Sequence, residues 1–178
     1  MSDLTDQPIQ NDGYYVLIVT PLLISWTVSY FTGKTDPYKY SPAWFQPPGW
    51  VFGVAWTFLY IMFGLLLFES IVDESYTILG LVISILFLTY FWQYLFNYKK
   101  LYKYALYDLL TILILSLMLY YQLIKKDIHD SSKFGEGYVF LYTPFIAWII
   151  FAIIMSVNTG CPGISIPRMM KVTKMRTV

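Results

Sequence analysis

Apolar residues along this chain fall into five long runs separated by short polar stretches; they neither alternate along strands nor mark one stripe of a soluble helix. Residues 13–33, 50–68, 75–98 and 137–157 carry no formal charge, and residues 104–124 carry only Asp108. Each run is close to the ~20 residues a helix needs to cross the hydrocarbon core of a bilayer. The pattern predicts an all-α integral membrane protein, a five-helix transmembrane bundle. Its spans are expected at about 13–33, 48–70, 75–98, 104–124 and 138–158, after a polar tail over 1–12 and before a basic cytoplasmic tail over 159–178. The acidic opening Met1 to Asp12 has no basic stretch ahead of an apolar core, so the first helix is expected to be retained and not cleaved as a signal peptide.

The start of the second helix is the most distinctive segment: Phe45-Gln46-Pro47-Pro48-Gly49-Trp50-Val51-Phe52, followed by Trp56 and Leu59-Tyr60. Two prolines suit a first helical turn, where the donors they lack would have no partners. Trp50 falls at the depth where indoles favour the membrane interface. Trp56 lies nearly two turns deeper, where an indole with its N–H needs a packing slot or a ligand to stack on. The connection before it, Lys34 to Gln46, carries Tyr38, Tyr40, Trp44 and Phe45 with Pro37 and Pro42. That is too aromatic for a solvated tether, and the segment is expected to fold over the mouth of the bundle.

Composition supports the membrane reading: 57% of residues are hydrophobic and 13% charged, about half the charged share of a soluble domain. Lysines and arginines are uneven across the two sides. Nine (Lys34, Lys39, Lys99, Lys100, Lys103, Arg168, Lys171, Lys174 and Arg176) fall on one side and three (Lys125, Lys126 and Lys133) on the other. The positive-inside bias then places the C-terminus in the cytoplasm. A net charge of +1 gives no case for nucleic-acid binding. The single Cys161 excludes an intrachain disulfide, and with His129, read as lying in a polar loop, as the one histidine, no metal site of Cys/His type is legible.

Polar residues inside the spans are the candidates for function. Gln93 and Asn97 stand four apart and share a helix face; interhelical hydrogen bonding and contact with a partly polar guest both fit. Asp108 lies just inside the fourth helix. It has no second intramembrane acid or histidine to relay a proton to, so a structural hydrogen bond near the interface is the better reading. Gly53, Thr57, Tyr60 and Gly64 form a small-residue groove on the second helix, and Trp148, Phe151, Ala152 and Met155 a stripe on the fifth. No nucleophile with a paired base and no glycine-rich phosphate loop can be assembled, so no catalytic residue is named.

Together these elements resemble the translocator protein family, also called tryptophan-rich sensory proteins or peripheral benzodiazepine receptors. The resemblance rests on Phe45-x-Pro47-Pro48-x-Trp50-x-Phe52-x-x-x-Trp56-x-x-Leu59-Tyr60, on Gln93-x-x-x-Asn97, on Ala105-Leu106-x-Asp108-Leu109-Leu110 and on Pro144-Phe145-x-x-Trp148-x-x-Phe151-Ala152, in that order. It implies a bundle, commonly dimeric, with a ligand pocket beneath the loop joining helices 1 and 2. Trp50, Trp56, Gln93, Asn97, Trp148 and Ala152 would line that pocket, shaped by Phe45, Pro47, Pro48 and Tyr60. Lys100, Met155 and Ser156 depart from the family's pattern. The tyrosine expected in a sterol-recognition pattern at the end of helix 5 is missing, so sterol is a weaker candidate than a porphyrin-type tetrapyrrole.

The expected function is an integral membrane receptor or carrier for a flat hydrophobic ligand, most simply a tetrapyrrole, with no bound cofactor of its own. The alternatives are a membrane enzyme that degrades or photo-oxidises porphyrin and a structural protein that works through partners. A bundle packed solid around Trp56 would favour the last.

Overall fold

The computed structural model describes residues 15–33, 45–129 and 137–158, with side chains for 16–33, 45–126 and 137–158. The N-terminal tail, most of the connection between the first two helices and the basic C-terminal tail lie outside the described residues. Among the described residues there are five α-helices: α1 (Tyr15–Thr32), α2 (Gly49–Val72), α3 (Tyr76–Gln93), α4 (Tyr102–His129) and α5 (Tyr138–Asn158). A π-helical turn, Tyr94–Lys99, prolongs α3. Helix α2, α3 with its π turn, α4 and α5 are each long and apolar enough to cross a membrane, and α1 is a shorter apolar helix.

Several ends differ from expectation for identifiable reasons. Pro48 is not inside α2: it caps it with φ −55° and ψ 148°, and its carbonyl accepts the first turn's bond from Val51 N–H at 3.0 Å. Helix α4 runs on to His129, so Lys125 to His129 are helical and not part of a polar loop. The polar stretch there favours water over lipid, but nothing in it breaks a helix. The third helix does not stay regular to residue 98. Its winding widens to i→i+5 bonding from Tyr94 and closes when Lys100 adopts the left-handed region at φ 54°.

Helix α2 packs against α1, α3 and α5, while α3 also touches α1 and α4, and α4 lies on α5. Phe63 of α2 is fully buried between Phe145, with ring centroids 4.7 Å apart, and Tyr142, at 6.0 Å, both on α5. Val82 and Ile85 of α3 and Leu109, Ile112 and Leu119 of α4 complete this core. Opposite faces of the same helices leave Ile83, Phe87, Ile114, Leu117 and Met118 exposed, as a lipid-facing surface should be. Lipid is as apolar as these side chains, so helix association must come from close contact and hydrogen bonds. One close approach is at Gly64, where an added Cβ would overlap the backbone of Ile18 on α1. Two buried hydroxyls are satisfied within their own helices, Thr89 donating to Ile85 O at 2.7 Å and Ser116 to Ile112 O at 2.6 Å.

At the end away from the α1–α2 connection, α2 turns into α3 through Asp73 and Glu74. The turn closes with Ser75 N–H on Ser70 O at 2.9 Å, and Glu74 takes φ 49°. Lys126 of α4 pairs with Asp73 and donates to Ser75 Oγ, fixing this hairpin to α4.

Candidate functional site

A cavity of about 700 Å³ opens between α1, α2, the end of α3 and α5. Four helices line it, each with one stripe: Leu22, Ser25, Trp26 and Ser29 of α1; Gly49, Phe52, Gly53, Trp56, Thr57 and Tyr60 of α2; Trp92, Gln93, Phe96 and Asn97 from the end of α3 and its π turn; Trp148, Ala152, Met155 and Ser156 of α5. Spacings of three and four recur in every stripe, as one face of a helix requires. Gly33 and Gln46, at the two described ends of the α1–α2 connection, also border it. Gly33 holds φ 75° and returns its N–H to Ser29 O at 3.1 Å, the left-handed glycine that commonly ends a helix.

Aromatic rings form most of the wall. Trp56 stacks on Trp92 with centroids 6.0 Å apart at 28° and on Tyr60 at 5.5 Å and 27°, and it meets Trp148 edge-on at 6.4 Å and 86°. Trp148 is in turn edge-on to Phe52 at 5.5 Å, and Trp92 stacks on Phe96 at 5.0 Å. The indole of Trp56 is therefore braced by its neighbours, yet the residue still borders open space. Its packing slot and its place in a cavity wall coexist.

A hydrogen-bonded cluster forms part of the wall. Gln93, 7% exposed, donates through Nε2 to Tyr60 Oη at 2.7 Å and to Ser25 Oγ at 3.0 Å, and its Oε1 accepts from Ser29 Oγ at 3.0 Å. One amide thus joins α1, α2 and α3. Tyr90, stacked on Tyr60 at 5.7 Å, adds a bond from its hydroxyl to Pro21 O at 2.9 Å. Gln93 accordingly ties helices together, one of the two readings the sequence left open, and it also borders the cavity. Two further lining residues hold buried polar atoms that find no hydrogen-bond partner among the described residues: Trp92 Nε1 and Gln46 Oε1. Buried groups of this kind ordinarily have partners.

Of the residues expected around a pocket, Trp56, Gln93, Asn97, Trp148 and Ala152 border this cavity and Tyr60 forms part of its wall. Trp50 does not. It is 71% exposed and absent from the lining: one residue into α2, its ring leaves the cavity stripe and takes the interfacial position that its amphipathic indole favours. Phe45 packs edge-on against Phe151 of α5 at 6.3 Å, seating the chain before Pro47 and Pro48 on the bundle. The segment from Lys34 to Trp44, expected to fold over the mouth, lies outside the described residues. Asp108 is buried on α4, a helix that contributes nothing to the cavity, and its Oδ2 has no hydrogen-bond partner among the described residues. The groove read on α2 divides by function: Gly64 is a helix contact, whereas Gly53, Thr57 and Tyr60 face the cavity.

Trp92, Trp26, Ser25 and Ser29 are lining residues that the sequence reading did not single out. Ser25 and Ser29 carried a signal, four apart in an otherwise apolar helix and available to an amide on a neighbour. Trp92 carried less, because tryptophans in membrane helices more often mark the interface.

A model of the TspO/MBR family matches residues 17–160, a range that takes in the cavity-lining stripes of all four helices. No curated protein matches the chain.

Proposed function

The chain belongs to the TspO/MBR family, and from that premise we propose that it is a membrane receptor binding a flat, largely apolar ligand of the tetrapyrrole class in the cavity between α1, α2, α3 and α5. The observation that carries the reading is that Trp56, Trp92 and Trp148, from three different helices, border one space. Its volume of about 700 Å³ lies within the ~300–1,000 Å³ usual for small-molecule sites. Indole faces and edges offer a macrocycle stacking surfaces. Gln93 and Asn97 supply the few polar contacts that orient a ligand, and Gln46 Oε1 and Trp92 Nε1 are polar atoms that a ligand's polar edge could pair with. The lysine distribution supports a cavity mouth on the cytoplasmic side, with the C-terminus.

The test is a titration of the purified protein in lipid nanodiscs with protoporphyrin IX, read by quenching of tryptophan fluorescence. Saturation at one site per chain, weakened by Trp56→Ala and by Trp148→Ala, is the expected result. Linear quenching that is identical in the two variants would overturn the reading. Recovery of chemically unchanged porphyrin after binding separates a receptor from the degrading enzyme considered above.

A further inference from the structure

Helices α1 and α2 press together at one point and border a common cavity elsewhere along their length. At Gly64 the α2 backbone is pressed on Ile18 of α1. Roughly three and four turns nearer the start of α2, Gly53 and Gly49 have no atom of the described residues within 4 Å of where a Cβ would stand. The cavity lies along this end of the pair, where both helices border it. Trp26 and Ser29 border it from α1, with Gly49, Gly53 and Thr57 opposite on α2.

This part of the cavity also reaches the outer surface. Trp26 borders the cavity and yet is 60% exposed. Val54, next in sequence to Gly53, and Phe58, one turn further on, are large exposed hydrophobics on the side of α2 that faces lipid. Gly53 thus lies where the cavity and the bilayer-facing surface adjoin. We propose that the seam between Trp26 and Gly53 is a lateral entrance through which a flat apolar ligand dissolved in the bilayer passes into the cavity, with Gly53 keeping it open. This rests on the ligand-binding reading above. A planar ring needs about 3.5–4 Å of contact distance on each face, so a branched side chain at Gly53 stands in its path. Helix packing gives no other reason for glycine at this position, since a side chain there meets none of the described residues.

Stopped-flow tryptophan quenching tests the entrance, with the protein in nanodiscs and protoporphyrin IX supplied from preloaded vesicles of the same lipid. In Gly53→Leu the association and dissociation rate constants both fall, by about tenfold each, and Gly53→Ala falls between Gly53→Leu and the parent protein. Saturable quenching whose rates are unchanged in Gly53→Leu overturns the entrance alone. So does an unchanged association rate with faster dissociation, which would make Gly53 only a wall contact. Absence of saturable quenching in the parent protein overturns the binding reading and the entrance together.

Discussion

Gln93 of α3 donates a 2.7 Å hydrogen bond to Tyr60 of α2, and the same amide also engages Ser25 and Ser29 of α1. Replacing it with leucine keeps the side-chain bulk but strands three hydroxyls. Interhelical hydrogen bonds in membranes average ~0.6 kcal/mol each, so Gln93→Leu should lower stability by about 2 kcal/mol. Unfolding in mixed micelles by sodium dodecyl sulfate titration measures this. A midpoint equal to that of the parent protein would mean that the cluster does not hold the three helices together.

Trp56 and Trp50 are six residues apart with different surroundings, one braced inside the cavity wall and one 71% exposed. Trp56→Ala should weaken protoporphyrin binding by about tenfold, equivalent to ~1.4 kcal/mol, while Trp50→Ala should leave affinity within about twofold. Equilibrium titration of the two variants side by side decides it. An equal loss in both would place Trp50 at the ligand, as the family resemblance implied.

Gly64 and Gly53 make a second contrasting pair. Gly64→Ala drives a methyl group into the Ile18 backbone and should destabilise by about 1–3 kcal/mol, the usual penalty for overfilling a packed site. Gly53→Ala meets none of the described residues and should be neutral or stabilising by up to ~1 kcal/mol through helix propensity. Thermal unfolding in detergent reports both, and a tolerated Gly64→Ala would show that α1 and α2 can separate there at little cost.

Glu74 holds φ 49° at the α2–α3 turn, a region where an L-residue with a Cβ is strained by roughly 1–2 kcal/mol. Glycine removes that strain and adds unfolded-state entropy, so Glu74→Gly should raise stability by about 0.5–1 kcal/mol. A lower melting temperature would show that the Glu74 side chain makes a compensating contact.

The spans were legible because a bilayer imposes a length and excludes charge, which leaves apolar runs that can be counted along the chain. The residues around the cavity were legible where they broke the apolar pattern or carried unusual bulk, as Trp56, Gln93, Asn97 and Trp148 do. Trp50, assigned to the pocket through the family resemblance, lies six positions from Trp56, a spacing that puts the two rings on different faces of one helix. Ser25 and Ser29 matter only through an amide on another helix, and that pairing is a property of packing. The widened winding after Gln93 has no local signature, since none of Tyr94 to Lys99 is a glycine or proline.

That widened winding separates two requirements within one helix. A π turn is in effect an α-helix carrying a surplus residue, and here the surplus falls after the amide that joins three helices. Loss of one residue between Tyr94 and Lys99 would rewind only the last turn, rotating Phe96 and Asn97 relative to the cavity while Trp92 and Gln93 stayed in place. Selection could therefore retune the outer rim of the site by changing chain length at this corner, leaving the anchorage of the bundle undisturbed.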